Sequence, residues 1–438
     1  MKHGVSLSRG RSWLVAAWVV AGALGSGHAR EAGQADPTAL SLEEAVRLAL
    51  LTNPSLRAAG GRVEAASGRA FQAGRWSNPE LELSAEDWPV SGGGSFDDSK
   101  QTIGIVQTLP FPGKKPLDRR AGGMEVRLSE AQLALRRTEI VRDVKAAYAR
   151  VLAYERLAAV SAELAEVAES TAATARKRVE HGAAPLQEQL RAEVQSEQTR
   201  TGLIAQQRDL ATARLDLATL LGRPELREVP LSGALREVPD SGLLTAAVPP
   251  QLADHPSTVA ARANLERARL EQRRARLEAY PDVQVGLAGG RIGETGESII
   301  QLGISLPLPI LDRGRGRRRE AAADIDVAEA ELQSVQQQLQ REWMGARERY
   351  RAAAAAVTAH RERILPRADE ALRLVRTGFE EGKFTFIDLA DTQRTQAEAR
   401  LAYQYSLLEL NVAQAEVEAL LRPRLPSPSP APSTSNSE

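Results

Sequence analysis

Two carboxylates near the end of the chain are the side chains whose types and spacing most suggest chemistry. Asp388 and Asp391 are three residues apart and follow Gly382 closely. In a helix this spacing places both carboxylates on one face, where they repel each other and attract cations. Aspartate near the start of a helix is also favoured by the helix dipole. From the residues alone, two solvated aspartates in the first turns of a helix are the better interpretation.

Other reactive groups give little support for catalysis or metal binding. The sequence contains no cysteine, which excludes disulfides, thiolate metal sites and cysteine nucleophiles. Its 5 histidines do not occur at the spacing of metal ligands. Neither a Gly-x-Ser-x-Gly motif nor a phosphate-binding loop is present. We therefore expect no enzymatic activity, no cofactor and no metal site.

The composition is that of a protein built from long helices. The 438 residues are 42% hydrophobic but only 4% aromatic, so a bulky aromatic core is not expected. Alanine, leucine, arginine, glutamate and glutamine dominate, as they do in long helices. Basic and acidic residues number 57 each, so no net positive charge indicates nucleic acid as a partner.

The two ends of the chain are set apart from the rest. Three basic residues precede the apolar run 13–24, and small residues ending at Ala29 follow it. This pattern predicts a secretory signal peptide over residues 1–29, whose removal leaves 54 basic and 57 acidic residues. We expect an N-terminal extension over 30–40 and a disordered Pro/Ser-rich tail over 422–438.

The sequence between these ends contains an internal repeat, in which short similar stretches recur at an offset of about 200 residues. We predict a first structural repeat over 41–222, an inter-repeat equatorial linker over 223–250 and a second repeat over 251–421. The recurring stretches are Asn53-Pro54-Ser55 with His255-Pro256-Ser257, Asn78-Pro79-Glu80 with Tyr280-Pro281-Asp282, Ile103-Gly104-Ile105 with Leu302-Gly303-Ile304, and Gly182 with Gly382.

Each repeat contains a stretch of alternating apolar and polar residues, which predicts hairpins over 80–110 and 281–309. The strands, at roughly nine or ten residues, have the length that a tilted strand needs to cross a bilayer. One lipid face and one wet face would explain the alternation, but soluble hairpins packed on helices would explain it equally well. Trp76 and Trp88 occupy positions typical of a membrane-interface belt, or of packing between hairpin and helix. The alternating apolar residues are Leu81, Leu83, Ile103, Ile105, Val283, Val285, Ile300, Leu302 and Ile304.

A very long helix is predicted after each hairpin, over about 116–180 and 313–381, followed by a shorter helix. The helices predicted at 54–77 and 185–221 together nearly equal the first long helix in length, so we expect them to stack end to end alongside it. Apolar residues at three- and four-residue steps indicate coiled-coil packing. In the last helix this stripe is Leu401, Tyr405, Leu408, Val412, Ala415 and Ala419.

The plan over roughly residues 40–421 resembles the outer-membrane efflux proteins, the TolC family. The resemblance implies a mainly α fold with a membrane β-barrel, in which a homotrimer closes a twelve-stranded barrel above a periplasmic α-helical tunnel. Physics agrees in part, because four strands cannot close and open edges are not tolerated in lipid. The motifs resembling the CzcC-like heavy-metal branch are Gln107-Thr108-Leu109-Pro110-Phe111-Pro112-Gly113-Lys114-Lys115 and Ser305-Leu306-Pro307-Leu308-Pro309-Ile310-Leu311-Asp312-Arg313.

The resemblance also implies sites and partners. Asp388 and Asp391 match the aspartates of the family's periplasmic gate. The implied partners are a periplasmic adaptor (membrane fusion protein), an inner-membrane pump of the RND type and outer-membrane lipid. The residues of the implied adaptor-contact tip are Val179, Gly182, Ala183, Gly382 and Lys383.

Three functions stay open on the sequence. The first is the outer-membrane exit duct of a tripartite efflux system for heavy-metal cations, in a Gram-negative bacterium. The second is a TolC-like duct for drugs or for type I protein secretion, and the third is a periplasmic coiled-coil scaffold without a pore. The amphipathic strands and the duplication favour a duct over a scaffold.

Overall fold

The computed structural model describes residues 39–87, 95–245 and 250–421, and the compact unit of interest begins at Leu40. Trp88, the predicted signal peptide and the predicted tail lie outside the described residues. The helices are α1 (Leu42–Thr52), α2 (Pro54–Ala73), α3 (Lys114–Glu180), α4 (Leu186–Leu220), α5 (Ser241–Thr245), α6 (Pro256–Arg276), α7 (Arg315–Ala359), α8 (Leu365–Glu380) and α9 (Phe386–Leu421). The strands are β1 (Glu80–Glu86), β2 (Lys100–Leu109), β3 (Val283–Ile292) and β4 (Ser298–Ser305).

The first two helices begin where the sequence supplies caps. Ser41 and Glu44 form a reciprocal capping box at the start of α1, which satisfies backbone N–H groups that have no partner within the helix. Asn53 ends α1 and caps α2, whose first residue is Pro54. One short polar segment therefore stops one helix and starts the next.

The two hairpins form a single antiparallel sheet in the order β1-β2-β3-β4. β2 and β3 pair over their whole length, from Lys100 opposite Ile292 to Leu109 opposite Val283. The central pair of strands therefore joins the two halves of the chain. In the described ranges, β1 and β4 are the outer strands and each has one partner.

The two faces of this sheet differ in polarity. The register places Leu83, Ile103 and Gly289 in one row and Ile105, Leu287 and Leu302 in the next, so apolar side chains accumulate on one face. Glu82, Gly104 and Ala288 belong to the opposite face. The apolar side chains remain exposed in the single chain: Leu81, Leu83, Ile103, Ile105, Leu287, Ile300, Leu302 and Ile304.

α3 is a helix of 67 residues, and at 1.5 Å per residue it is roughly 100 Å long. α2 packs along its first part and α4 along its last part, while the start of α2 meets the end of α4. The two shorter helices therefore stack end to end beside α3, as predicted. The contacts that fix this arrangement are Arg69 Nη2 to Glu125 Oε1 (2.6 Å), Arg214 Nη2 to Glu155 Oε1 (2.9 Å) and Asn53 Nδ2 to Leu220 O (2.8 Å).

The long helix of the second half runs without a gap from Arg315 to Glu380, close to the predicted 313–381, but a π-helical turn divides it into two α-helices. α7 ends at Ala359, and a π-helical turn, His360–Ile364, connects it to α8. Pro366 lies near the start of α8, where it cannot donate a backbone hydrogen bond and would clash with the carbonyl one turn earlier. A π turn absorbs this mismatch within a helix.

Two separate apolar clusters hold the helices together. In the first half, Ile140 and Val144 of α3 pack against Ala45, Leu56 and Leu217. In the second half, fully buried Trp343 and Tyr350 of α7 pack against the α9 residues Leu407, Leu410 and Val417. Ala415 of the predicted stripe is buried, but Tyr405 is 39% exposed. The α9 residues of this cluster therefore form a different stripe from the predicted one.

The segment between the two halves binds to several helices through its backbone. Leu40 forms a parallel bridge with Leu231, and the Tyr148 hydroxyl donates to backbone carbonyls on both sides of this bridge. Further along, Tyr350 accepts a hydrogen bond from the Asp240 N–H. The predicted linker is therefore attached to α3 at Ser232 and to α7 at Asp240.

Gly222, just after α4, is expected to be intolerant of alanine. Its φ is +65°, and a Cβ there would lie 2.8 Å from the Thr52 carbonyl oxygen. Backbone strain of this kind costs about 1–3 kcal/mol, and the clash adds to it. Gly222→Ala should lower the unfolding temperature of the purified protein more than Gly233→Ala, whose φ is +100° but whose Cβ would meet nothing within 4 Å. Equal effects would contradict the close approach of α4 to Thr52.

Candidate functional site

The turn between α3 and α4 is a Schellman motif, as expected for a helix that ends on glycine. Gly182 has φ +70°, and its N–H donates to Val179 O over 2.9 Å. The Ala183 N–H donates to Arg178 O over 2.8 Å. Gly182 and Ala183 are exposed and Val179 is half-buried.

The turn between α8 and α9 repeats this geometry. Gly382 has φ +76° and donates to Phe379 O over 3.0 Å, and the Lys383 N–H donates to Gly378 O over 2.7 Å. Gly382 and Lys383 are exposed. Gly182 and Ala183 occupy the same positions in the first turn as Gly382 and Lys383 in the second. Val179, the fifth predicted tip residue, lies in the last turn of α3.

The two turns lie side by side. The guanidinium carbon of Arg178 is 5.3 Å from the centre of the Phe379 ring, and its Nη1 is 3.1 Å from Glu188 Oε1. The Phe386 ring packs on Phe379 and on small residues of α3 and α4. The ends of the two helix pairs therefore form one connected surface.

Asp388 takes part in a reciprocal capping interaction at the start of α9. Its Oδ2 accepts hydrogen bonds from the Thr385 N–H (2.8 Å) and the Thr385 hydroxyl (2.6 Å), while its own N–H donates to Thr385 Oγ1 (3.3 Å). The hydroxyl and backbone hydrogen bonds from Thr385 lower the pKa of Asp388 below its ordinary value, because they favour the charged carboxylate. In the single chain, Asp388 is therefore an exposed, ionised capping residue.

Asp391 has a cation beside it. Arg394 Nη2 lies 2.7 Å from Asp391 Oδ1, and Arg394 Nη1 lies 2.8 Å from Glu398 Oε1. All three side chains are at least half exposed, so this arrangement contributes little to stability. It does set the charge around the predicted gate, because one arginine partly neutralises two carboxylates.

An apolar groove adjoins Asp391 and Arg394. It has a volume of about 490 Å³ and runs between α3, α4 and α9. Leu190 and Val194 of α4 are 52% and 57% exposed, so the groove leaves apolar surface open to water in the single chain. Its other apolar lining residues include Leu164, Val167, Phe386 and Ile387.

Sequence reasoning did not identify Thr385 or Arg394 as parts of this site, and it did not predict the contact of Arg178 with Phe379. A signal for Thr385 was present, since Thr-x-x-Asp before an apolar run has the spacing of a capping box. The Arg394–Asp391 pair could also be anticipated from its three-residue spacing. The contact of Arg178 with Phe379 joins distant parts of the chain and had no local signal.

Within the described ranges, no group of three or more histidine or acidic side chains is placed to hold a metal ion. Across the same ranges, no helix contains the apolar stretch that a membrane-spanning helix needs.

The sequence profile of a family described as "Outer membrane efflux protein" matches residues 45–223 and 249–421, which is most of the chain. The chain therefore belongs to the outer membrane efflux protein family. This confirms the family resemblance and the outer-membrane location predicted from the sequence. Members of the family are channels rather than enzymes.

Comparison with individual proteins agrees with this assignment. The cobalt-zinc-cadmium resistance protein CzcC of Cupriavidus metallidurans is 28% identical over 384 residues, covering 87% of this chain and 90% of CzcC. The outer membrane protein VceC of Vibrio cholerae shares the fold with a TM-score of 0.72 at 21% identity, over 86% of this chain and 95% of VceC. The open state of the MtrE outer membrane channel of Neisseria gonorrhoeae gives a TM-score of 0.74 at 20% identity, over 87% and 88% of the two chains.

Proposed function

We propose that this chain is the outer-membrane exit duct of a tripartite RND-type efflux system and that heavy-metal cations are its cargo. Three copies form the duct, which receives cargo from an inner-membrane pump through a periplasmic adaptor. The duct is passive and performs no chemistry on what it conducts. The alternative cargoes are drugs or, in type I secretion, proteins.

The observation that carries this proposal is the exposed apolar face of the four-stranded sheet. Leu302 is 72% exposed and Ile300 is 83% exposed, although both belong to a regular strand. Apolar side chains in such a row need a partner, and lipid suits them. The opposite face, with Glu82 and Gly104, suits a water-filled lumen.

The outer strands supply the reason for a homotrimer. β1 and β4 each carry one unpaired edge in the described sheet, and an unpaired edge in lipid leaves backbone groups without hydrogen bonds. Pairing β4 of one chain with β1 of the next removes both edges, and three chains give twelve strands. The apolar groove beside α4 is covered in the same assembly by helices of the neighbouring chain.

The proposal assigns the two Schellman turns to the adaptor. Gly182, Ala183, Gly382 and Lys383 are exposed at the end of the helix pairs that lies away from the sheet. If the sheet is in the outer membrane, these turns point into the periplasm. An adaptor bound there joins the duct to the pump.

The cargo is inferred from the similarity to CzcC. CzcC is described as a cobalt-zinc-cadmium resistance protein, and the similarity extends over 87% of this chain. We infer that this chain serves the same class of cargo, divalent heavy-metal cations. A scaffold without a pore is disfavoured because, outside a membrane, the apolar face of the sheet would stay exposed to water.

Deletion of the gene and complementation test the function. Loss of the protein should sensitise the cell to cobalt, zinc or cadmium salts, and the wild-type gene should restore growth. Sensitivity to drugs alone would favour the alternative cargo. Recovery of the wild-type protein in the soluble periplasmic fraction would favour the scaffold and contradict the duct.

The predicted gate gives a separate test. We propose that Asp388 and Asp391 from three chains form a ring of carboxylates that attracts cations and is blocked by multivalent ones. Asp388→Asn with Asp391→Asn should weaken block by a trivalent cation in planar-bilayer recordings, while the amide at 388 retains an oxygen for the Thr385 cap. Glu380→Gln with Glu381→Gln removes the same charge on the other side of the turn and should leave block unchanged. Wild-type block in the aspartate variant would mean that the gate lies elsewhere.

A further inference from the structure

A dense group of arginines lies after the sheet, at the start of α7. Five arginines occur within seven residues, and all five are exposed. We call residues 306–319, from the end of β4 through the first residues of α7, the basic-apolar segment. The arginines of this segment are Arg313, Arg315, Arg317, Arg318 and Arg319.

The arginines at the start of α7 lie where positive charge is energetically unfavourable. The first turn of α7 contains no acidic residue, and its cap, Gly314, contributes no side-chain hydrogen bond. The start of a helix carries partial positive charge from unpaired N–H groups, so cations there are repelled. A local arrangement that breaks this rule indicates a binding role, because an anionic partner would relieve the repulsion.

The protein supplies few counter-charges to the segment. Arg317 Nη1 lies 3.0 Å from Glu278 Oε1, and Arg318 donates to the carbonyl of Arg313 over 3.4 Å. In the part of the chain that the structure describes, Arg315 and Arg319 make no ion pair and no side-chain hydrogen bond. The one acidic residue within the segment, Asp312, accepts a hydrogen bond from the Gly314 N–H over 2.8 Å. Five arginines against one aspartate leave the segment with a net positive charge for a partner.

Large apolar side chains directly precede the arginines. Leu308 and Ile310 are each 69% exposed, and Leu311 is 100% exposed. A stretch that exposes aliphatic side chains next to cations is typical of protein that lies in a membrane interface. The apolar face of β4 runs into this stretch, so the exposed apolar surface is continuous from strand to segment.

The same end of the helices carries further interfacial residues. The last turn of α6, which leads into β3, contains Arg273 and Arg276. Before β1, the Arg75 guanidinium lies 4.2 Å from the centre of the Phe71 ring, and Trp76 is 59% exposed. Aromatic and basic residues at the ends of membrane strands mark the level of the lipid headgroups.

We propose that the basic-apolar segment binds anionic phospholipids of the periplasmic leaflet: its arginines contact the phosphates and Leu308, Ile310 and Leu311 enter the acyl boundary. The inference rests on the proposed function, because it requires the sheet in the outer membrane and the helices in the periplasm. Each arginine near an anionic surface adds to the attraction, so the effect grows with the number of arginines. By binding there, the segment sets how deeply the sheet lies in the outer membrane, at the periplasmic side where the helices begin.

Lipid binding by the full-length trimer in neutral detergent tests the inference. Phosphatidylglycerol and phosphatidylcholine are titrated separately, and bound lipid is counted by native mass spectrometry. Wild type should prefer phosphatidylglycerol, and added salt should weaken the preference. Arg315→Gln with Arg318→Gln and Arg319→Gln should lower phosphatidylglycerol affinity on the order of a hundredfold. These substitutions leave the Arg317–Glu278 pair intact.

Two matched variants separate charge from fold. Lysine at the same three positions keeps the charge and should keep the preference. Glutamine at Arg47, Arg57 and Arg200 removes equal charge from exposed positions on other helices and should also keep it. An unchanged preference in the glutamine variant of the segment would overturn the inference.

Two other outcomes are distinguishable. If the segment variant loses its trimer in detergent without lipid, the arginines pair with a neighbouring chain, and the lipid assignment is wrong. If wild type is absent from the outer-membrane fraction, the proposed function fails and this inference fails with it. Wild type in the outer membrane without a preference for phosphatidylglycerol would overturn the lipid site alone.

Discussion

Leu302→Arg is expected to abolish the trimer in the outer membrane. Leu302 lies opposite Leu287 on the exposed apolar face of the sheet. An arginine at the middle of a lipid-facing strand costs about 2–4 kcal/mol, and each trimer would carry three of them. Fractionation followed by electrophoresis without heating measures the amount of trimer. The substitution should reduce it to a small fraction of the wild-type level.

The neighbouring residue supplies the matched control. Gln301 lies opposite Ala288 on the other face of the same strand, where the proposed duct has its lumen. Gln301→Arg should leave trimer levels close to wild type, because its charge can reach water. Normal trimer with arginine at 302 would mean that this face does not contact lipid.

Bulky residues at the two tips are expected to remove metal resistance while the trimer stays in the membrane. Ala183 and Lys383 immediately follow the turn glycines, are exposed, and do not have positive φ. Ala183→Trp with Lys383→Trp should therefore block the approach of an adaptor without straining the turn. Resistance should fall to that of the deletion strain, as measured by growth in cobalt, zinc or cadmium salts.

The controls for this experiment use small residues at the same positions. Ala183→Ser with Lys383→Gln should retain resistance, and the glutamine shows whether loss of the Lys383–Glu381 ion pair matters. Tryptophan at Gly182 or Gly382 is a weaker test, because φ values of +70° and +76° strain any larger residue. Full resistance in the double tryptophan variant, with normal trimer, would exclude an adaptor contact at these turns.

The predictions with a local cause agree with the structure. Proline and asparagine at 53–54 set a helix boundary by their own backbone chemistry. Gly182 and Gly382 end helices because they can adopt positive φ. The division into two repeats at 41–222 and 251–421 remains a prediction, although both halves contain a strand pair between helices.

Features that depend on distant residues were harder to predict. The pairing of Thr385 with Asp388 had a sequence signal, but the aspartates were interpreted through the family resemblance rather than through the cap. The α9 stripe was misassigned because α9 contacts both α3 and α7, and periodicity does not say which apolar face meets which neighbour. The π turn follows from a single proline in an otherwise helical pattern, which has more than one structural solution.

By itself, the sequence determined the order of the elements, the alternation in the strands and the turns at the helix ends, since each depends on residues close together in the chain. Only the tertiary structure decided that both hairpins join in one sheet through β2 and β3, whose paired residues Leu109 and Val283 are far apart in sequence. It also decided that Arg178 connects the two tips. Such contacts form because the long helices bring distant segments of the chain together. Local propensity does not predict which distant segments meet.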